Sequence, residues 1–345
     1  MKVAVVGAGI AGSSAARFLA ERKHDVTVFE QFPFHHDRGS SHGRSRIVRR
    51  AYPDALYTMY MQDAYPMWSE LQRKSSLPIL HECGLVYFGP TDSEEMVSLI
   101  AGLDELNVPF QSLRGNDVHR VMPQLSITPN EVAVFTPEAG WVQAENALKA
   151  TLELSVATGA NFVFGRKVSR DELERNYDAF VVCAGAWIRD FIDLPVQVTK
   201  HTFAYFEGVL EGPVWIEASD DNAYGFPTEP DTKAFKIGIH RGGIPIDPNS
   251  DDRVPTPEAI ALAMETARRR FGFDDARVVE SKGCLYTSTS TDDFRLGPIG
   301  ENGFYASACS GHGFKFGPWI GKLMADFVEG KDKPERYSRF KEPTS

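Results

Sequence analysis

The sequence predicts an α/β protein of two interleaved domains, one built on a parallel nucleotide-binding sheet and the other, of α+β type, on an antiparallel sheet. Three observations carry that prediction. The chain has 345 residues, more than one small core needs and suited to two domains of roughly 150 residues each. It opens on a strand–turn–helix–strand unit with glycines at the turn. From about residue 200 to 245 it changes to short alternating strands and turn residues, the pattern of an antiparallel sheet. No repeat or low-complexity linker separates the halves. The first domain is therefore expected to be discontinuous, at 1–80, 140–200 and 280–345, with the second at 81–139 and 201–279.

Each element has a local reason. Val3 to Val6 is a short apolar run, Gly7-Ala8-Gly9-Ile10-Ala11-Gly12 a turn, and Ser13 to Glu21 a helix. Asp25 to Phe29 is a second β-branched run that ends at Glu30, 18 positions after the last glycine. This is G-x-G-x-x-G in the context that a dinucleotide site requires. Gly7 permits the tight turn, Gly9 lets backbone approach a diphosphate, and Gly12 allows close helix–strand packing. The helix N-terminus then faces the diphosphate, and Glu30 accepts from ribose hydroxyls. The unit reads as Rossmann-like. Further along, Ala144, Leu148, Leu152 and Val156 step by four toward a C-cap at Gly159. Phe180 to Gly185 reads as a buried parallel strand ending at a glycine turn. Thr256-Pro257-Glu258 starts a helix with a cap, an N1 proline and an early acid, and Ile260, Met264, Ala267 and Phe271 form its apolar face.

Composition excludes several classes. Lys and Arg number 37 against 47 Asp and Glu, a net charge of -10, which disfavours binding to nucleic acid or an anionic membrane. No apolar run approaches the roughly 18 residues a membrane span needs. The N-terminal apolar stretch is broken by glycines and runs into Arg17, Glu21 and Arg22 without a cleavage site, so it is not read as a signal peptide. Cys83, Cys183, Cys284 and Cys309 lie far apart with no C-x-x-C pair. That argues against a metal site or disulfide framework and for a reducing, cytoplasmic compartment.

Four segments hold candidate chemistry. In Phe235-Lys236-Ile237-Gly238-Ile239-His240, strand periodicity puts Lys236 and His240 on one face with only a glycine between them. An edge strand with a solvated polar face would show the same alternation. In Gly283-Cys284-Leu285-Tyr286-Thr287, Cys284 and Tyr286 share a face, although a free cysteine is commonly a small buried hydrophobe. Ser310-Gly311-His312-Gly313-Phe314-Lys315-Phe316 is a glycine-bracketed turn entering a helix. Its backbone N–H groups, the positive dipole end and Lys315 together make an anion site, against the plain alternative of a glycine-rich loop. Ser41-His42-Gly43-Arg44-Ser45-Arg46-Ile47-Val48-Arg49-Arg50 is the one strongly basic stretch. Its arginine forks suit carboxylates and phosphates; a solvated patch or an RNA contact are the alternatives.

In this order along the chain, the segments resemble the monomeric sarcosine oxidase family, FAD-dependent oxidases of N-substituted amino acids in the D-amino-acid-oxidase-like superfamily. The resemblance covers nearly the full length. It rests on the N-terminal glycine motif, on Gly39-Ser40-Ser41-His42-Gly43 with Arg46 and Arg49, and on Lys236-Ile237-Gly238-Ile239-His240. Cys284-Leu285-Tyr286-Thr287 and Ser310-Gly311-His312-Gly313-Phe314-Lys315 complete it. It implies FAD bound by Gly7, Gly9, Gly12, Glu30, His42, Arg46, Val168, Gly185, Gly311, His312, Gly313, Phe314 and Lys315, and joined covalently through Cys284. It implies that Arg49 and Lys315 grip the substrate carboxylate and that Lys236, beside the flavin, assists the reaction with oxygen. His240, Tyr286 and Tyr224 are implied to line the substrate pocket. The implied activity is oxidation of a secondary amino acid to an imine that water hydrolyses, with oxygen reduced to hydrogen peroxide, in a monomeric enzyme. A small N-methyl amino acid is the favoured substrate, followed by a fructosyl amino acid or a cyclic imino acid such as pipecolate. A flavin dehydrogenase passing electrons to a partner protein and a noncatalytic flavin-binding scaffold are the readings from other classes. Ala308-Cys309 departs from the glycine and aromatic residue usual in the family before Ser310.

Overall fold

The computed structural model describes residues 1–230, 232–307 and 309–341, so the departure at Ala308 lies outside the described residues. Among them, three sheets form the frame. The first has six strands in the order Arg295–Ile299, Gly303–Ser307, Ala179–Val182, Lys2–Val6, Asp25–Glu30 and Asn161–Phe164. All neighbours run parallel except the terminal pair Arg295–Ile299 and Gly303–Ser307. The central strand is apolar on both sides because both sides are covered. Val3 and Val5 pack toward the helices Ile10–Glu21 and Gly317–Val328, and Ala4 and Val6 pack into a second core with Phe180, Ile188 and Leu194.

The large sheet has nine strands. Gln197–Glu207, Ala234–Ile239, Ala223–Phe226 and Val214–Glu217 are successive antiparallel neighbours, and Val278–Ser288 pairs with the free side of Gln197–Glu207. The sheet is mixed rather than purely antiparallel. Val214–Glu217 pairs parallel with Leu85–Pro90, which brings in Glu131–Thr136 and Gln111–Leu113 from an earlier part of the chain. A small third sheet of Ser45–Arg49, Ala139–Gln143 and Leu80–Glu82 lies beside these two.

The large sheet has two unlike faces. Ala204, Phe206, Phe235 and Ile237 pack under the helix Pro257–Phe271. Alternate residues of the same strands point the other way, where Phe203, Tyr205, Cys284 and Tyr286 cluster. That helix has Thr256 at the N-cap, without a side-chain capping bond, and Pro257 first; Ala267 and Phe271 are buried as expected, but Ile260 and Met264 are not. Met264 is 40% exposed and Ile260 half-buried, while Ala263, Thr266, Ala267, Arg270 and Phe271 are buried. The helix is turned because Arg270 is drawn inward by carboxylates on the sheet. A similar shift occurs in Ala144–Ala157. Its buried residues are Ala144, Ala147, Ala150, Thr151 and Ser155, and Val156 is exposed. Small residues allow the close approach to Ile10–Glu21, where the Ser155 hydroxyl donates to the Ser13 carbonyl at 3.1 Å. Gly159, at φ +110°, follows the last turn. Among the described residues no helix is long and apolar enough to cross a membrane.

Candidate active site

The first end of the site is the glycine turn. Gly7 has φ +92°, and a Cβ there would strike the Cys183 carbonyl; a Cβ on Gly12 would strike the Gly7 carbonyl. These two glycines close the strand against the helix, and Gly9 is left as the approach to the helix end. Gly9 offers no capping side chain and the first turn carries no acidic residue. One amide, that of Ile10, is taken by the Ser41 hydroxyl at 3.1 Å. Glu30 accepts from the backbone amides of Ala8 at 2.9 Å and Phe32 at 3.0 Å. Burial pushes its carboxyl up, but the hydrogen bonds from His36, Ala8 and Phe32 outweigh burial and hold it below the usual carboxylate range. A cavity of about 180 Å³ here is lined by Gly7, Gly9, Glu30, His42, Val168 and Gly185, among others.

The second end is a cavity of about 620 Å³. It shares Ser40, Cys309, Gly313 and Phe314 with the first, so the two form one bent groove. Arg46, Arg49, Tyr224, Lys236, His240, Cys284, Tyr286, Gly311, His312 and Lys315 all line it. The structure thus brings together residues that stand nearly 270 positions apart in the chain. The strand carrying Lys236 is central, not an edge, because it lies between Gln197–Glu207 and Ala223–Phe226. Lys236 is 1% exposed. Its ammonium donates to the Ser45 carbonyl at 3.1 Å and lies 4.2 Å from the Phe203 ring centre and 4.7 Å from that of Phe226. Burial, with the Arg46 charge nearby, pulls its pKa down to about 7. Gly238 clears space for a definite neighbour, since a Cβ there would meet the Tyr224 ring and hydroxyl at 2.5 Å.

Two buried cations face the same cavity. The Arg49 guanidinium donates to the Ala51 carbonyl and lies 3.9 Å from the Tyr52 ring centre. Lys315 Nζ donates to the His312 carbonyl at 3.1 Å and lies 5.5 Å from the same ring. Among the described residues, neither has a carboxylate within ion-pair distance. Burial and the Arg49 charge hold the Lys315 ammonium well below the usual lysine range. Three other polar groups of the lining, His240, Tyr224 and Tyr286, are pushed toward their neutral forms. Burial lowers His240 to about 3 and pushes the Tyr224 hydroxyl up to about 12, against the opposing pull of the Arg46 charge and the Tyr286 hydrogen bond. Tyr286 is raised by burial and hydrogen-bonds to Tyr224. Gly311, at φ +71°, sits where a Cβ would strike the Tyr286 and His240 rings.

Some residues behave differently from expectation. His312 lines the cavity, but its Nε2 meets the Asp292 carbonyl at 3.0 Å, its Nδ1 the Tyr52 hydroxyl at 3.3 Å, and its ring stacks on Phe294. His201 was not anticipated; its ring stacks on Tyr286 with centres 3.8 Å apart, and burial lowers its pKa to about 4. The alternation Thr199, His201, Phe203, Tyr205 along one strand could have found it. Tyr52, between the two cations, follows directly on the basic stretch.

The donor set fits a bound flavin dinucleotide. The helix end without cap or acid suits a diphosphate, Glu30 suits ribose hydroxyls, and the groove continues into a wider chamber. In the narrower end the buried His42 Nε2 has no partner, an orphan that a ligand group satisfies. Comparisons agree. Residues 2–327 match the family described as DAO, FAD dependent oxidoreductase. The chain is 27% identical over 370 aligned positions to N-methyl-L-tryptophan oxidase of Escherichia coli O139:H28, covering 97% of this chain and 98% of that one. It is 28% identical over 354 positions to human peroxisomal sarcosine oxidase, covering 93% and 90%. The fold matches NikD, described as an unusual amino acid oxidase essential for nikkomycin biosynthesis, with TM-score 0.84 at 22% identity over 99% of this chain and 96% of that one. Glycine oxidase from Geobacillus kaustophilus matches with TM-score 0.82 at 19% identity, covering 100% and 98%. With the motifs, the groove and the family match in agreement, the chain belongs to the DAO family of FAD-dependent oxidoreductases.

Proposed function

We propose that the protein oxidises the C–N bond of a secondary amino acid, a small N-methyl amino acid being favoured, to an imine that water hydrolyses, with oxygen as acceptor. One observation carries this reading: Arg49 and Lys315 are buried beside one cavity, and among the described residues no carboxylate lies within ion-pair distance of either. A substrate carboxylate supplies that balance. Held there, the α-carbon and nitrogen are fixed in orientation, which is much of what such a site contributes. The two cations also lower the pKa of the substrate amine, favouring the neutral form whose lone pair the reaction needs. His240, Tyr224 and Tyr286 add polar walls without a negative charge of their own.

Bound FAD supplies the two-electron chemistry that these side chains lack. Gly9, Glu30, Val168 and Gly185 would hold its nucleotide end, and His42, Arg46 and the Gly311–Gly313 turn its flavin end. Cys284 is assigned the covalent link: it is buried in the wider chamber with Arg46 and Lys236 nearby, both of which oppose the upward push of burial on its thiol. Lys236 offers a fixed cation where negative charge develops on oxygen, a preorganised electrostatic role. The names of the relatives, an N-methyl-L-tryptophan oxidase and a sarcosine oxidase, support an N-methyl substrate. A monomer acting in the cytoplasm belongs to the same reading.

Anaerobic bleaching of the flavin absorbance tests it, with sarcosine, N-methyltryptophan, pipecolate, proline and fructosyl-glycine as the panel. Bleaching by one of them followed by rapid recovery in air is expected. Slow recovery would make the protein a dehydrogenase, and no bleaching by any of them would overturn the simple amino-acid substrate. The covalent link has its own check. Acid precipitation is expected to leave the yellow colour in the wild-type pellet and release it from Cys284→Ser.

A further inference from the structure

A buried carboxylate lies behind Lys236, and the proposed reaction has no use for it. Glu229, in the loop between Ala223–Phe226 and Ala234–Ile239, is 5% exposed. Its Oε1 accepts from the Ser45 hydroxyl at 2.8 Å and from the Tyr205 hydroxyl at 3.4 Å. The backbone carbonyl of the same Ser45 accepts from Lys236 Nζ at 3.1 Å. Ser45 is fully buried. One residue therefore carries the ammonium on its carbonyl and the carboxylate on its hydroxyl.

A buried carboxylate needs a counter-charge. Arg44 is a poor one here. Its nearest nitrogen is 3.9 Å from Glu229, its side chain is half exposed, and it binds Glu280 at 2.7 Å. Lys236 has the converse need. The charged and titratable groups acting most strongly on it are Arg46, Glu229, Cys284 and Arg44, of which two are cations and only Glu229 is a carboxylate; His42 also feels its charge. Its remaining neighbours are the faces of Phe203, Phe226 and Tyr205. Ring faces and one carbonyl do not replace the hydration an ammonium loses on burial.

We propose that Glu229 is a positioning residue for Lys236, balancing its charge through Ser45 so that a cation stands in the chamber when oxygen reacts. This rests on the reading of Lys236 as the residue that meets oxygen. Glu229→Gln keeps the shape and an acceptor for Ser45 but removes the charge. Removing a nearby opposite charge lowers a lysine pKa by about one unit or more. The alkaline limb of the flavin reoxidation rate is therefore expected to move down by about one pH unit. Above that limb the rate falls about tenfold, since one unit is a tenfold change in the protonated fraction. Anaerobic reduction by substrate stays within about twofold, because Glu229 does not reach the substrate cations.

A spectral readout separates this from a general loss of structure. The visible flavin absorbance of the resting enzyme is titrated with pH in wild type, Glu229→Gln, Glu229→Asp and Lys236→Met. A transition that disappears in Lys236→Met, moves down in Glu229→Gln and returns toward wild type in Glu229→Asp is the expected result. Ser45→Ala, which keeps the carbonyl and removes the hydroxyl, is expected to move it in the same direction and serves if Glu229→Gln does not fold. A limb and transition lost in Lys236→Met but unmoved in the Glu229 and Ser45 variants would overturn the role of Glu229 and leave that of Lys236. If Lys236→Met keeps the wild-type limb and transition, the reading of Lys236 fails and this proposal falls with it.

Discussion

The two faces of the large sheet treat buried charge in opposite ways. Under the helix Pro257–Phe271, the Arg270 guanidinium lies 2.6 Å from both Glu131 and Glu217, with further bonds of 2.9 Å to Glu131 and 3.0 Å to Glu217. Arg269 adds a second cation to Glu217 at 2.8 Å. On the cavity side, Arg49 and Lys315 are about as buried as Arg270 but rest on carbonyl oxygens and a tyrosine ring. Burial is therefore not what separates the two sets; the missing counter-charge is. The protein closes the first set upon itself and leaves the second open, where the proposed substrate carboxylate would complete it.

The largest expected effect breaks the open set. Arg49→Met removes one of the two cations that we propose hold a substrate carboxylate. Truncating one partner of a buried charge pair costs about 2–5 kcal/mol, so the second-order rate of anaerobic flavin reduction is expected to fall on the order of a thousandfold. Stability should not fall with it, because no carboxylate of the described protein loses its partner. Rapid reduction in this variant, measured by stopped flow, would remove Arg49 from the substrate site.

Arg270→Met should do the reverse. It strands Glu131 and leaves Glu217 with Arg269 alone, at a cost of about 3–5 kcal/mol of unfolding free energy, read from urea denaturation. Reduction by substrate should stay within about twofold. The acid limb of stability sharpens the contrast. Burial pushes the Glu131 carboxyl up, but the Arg270 and Thr128 hydrogen bonds leave it below its ordinary 4.5. Its stabilisation is thus complete above the unfolded value and lost as pH falls through the lower folded value. In Arg270→Met that loss on acidification should shrink or change sign.

The same contrast explains what was legible in the sequence. The glycine turn could be read because positive φ at Gly7 and close packing at Gly12 demand a residue type, and Glu30 follows at a spacing set by one helix. Lys236, His240, Cys284 and Tyr286 could be placed on faces, since period two needs no tertiary knowledge. Which way those faces look could not. The same alternation serves an edge strand in water and a central strand over a cavity, and the neighbours Gln197–Glu207 and Ala223–Phe226 decide it. Arg270 was hidden for a related reason. The four-residue spacing of Ile260 and Met264 suggested an apolar face, and only the acids on distant strands draw a charged side chain inward instead. Glu229 sits in a loop with no period at all, so its burial had no local signal. His201 has one, in the alternation of its strand, but a single histidine on a strand face does not by itself mark a site.

The smallest expected effect concerns the open set at rest. Burial and Arg49 hold the Lys315 ammonium well below its ordinary 10.5. Between the folded and unfolded pKa values the folded state binds fewer protons, so folding stability rises with pH through that window. At lower pH, where the lysine must be charged in both states, the unbalanced pair costs stability, and a bound carboxylate relieves that cost. Acetate, a carboxylate without an oxidisable amine, should therefore raise the melting temperature of the flavin-bound enzyme. At a hundred times its dissociation constant the gain is about 2.7 kcal/mol. Acetamide, the neutral isostere, should do nothing. The gain should diminish as pH rises and the lysine sheds its proton, and it should be largely absent from Lys315→Met. Equal stabilisation of wild type and Lys315→Met by acetate would place the bound carboxylate elsewhere, and the two faces would then differ only in how their cations are packed.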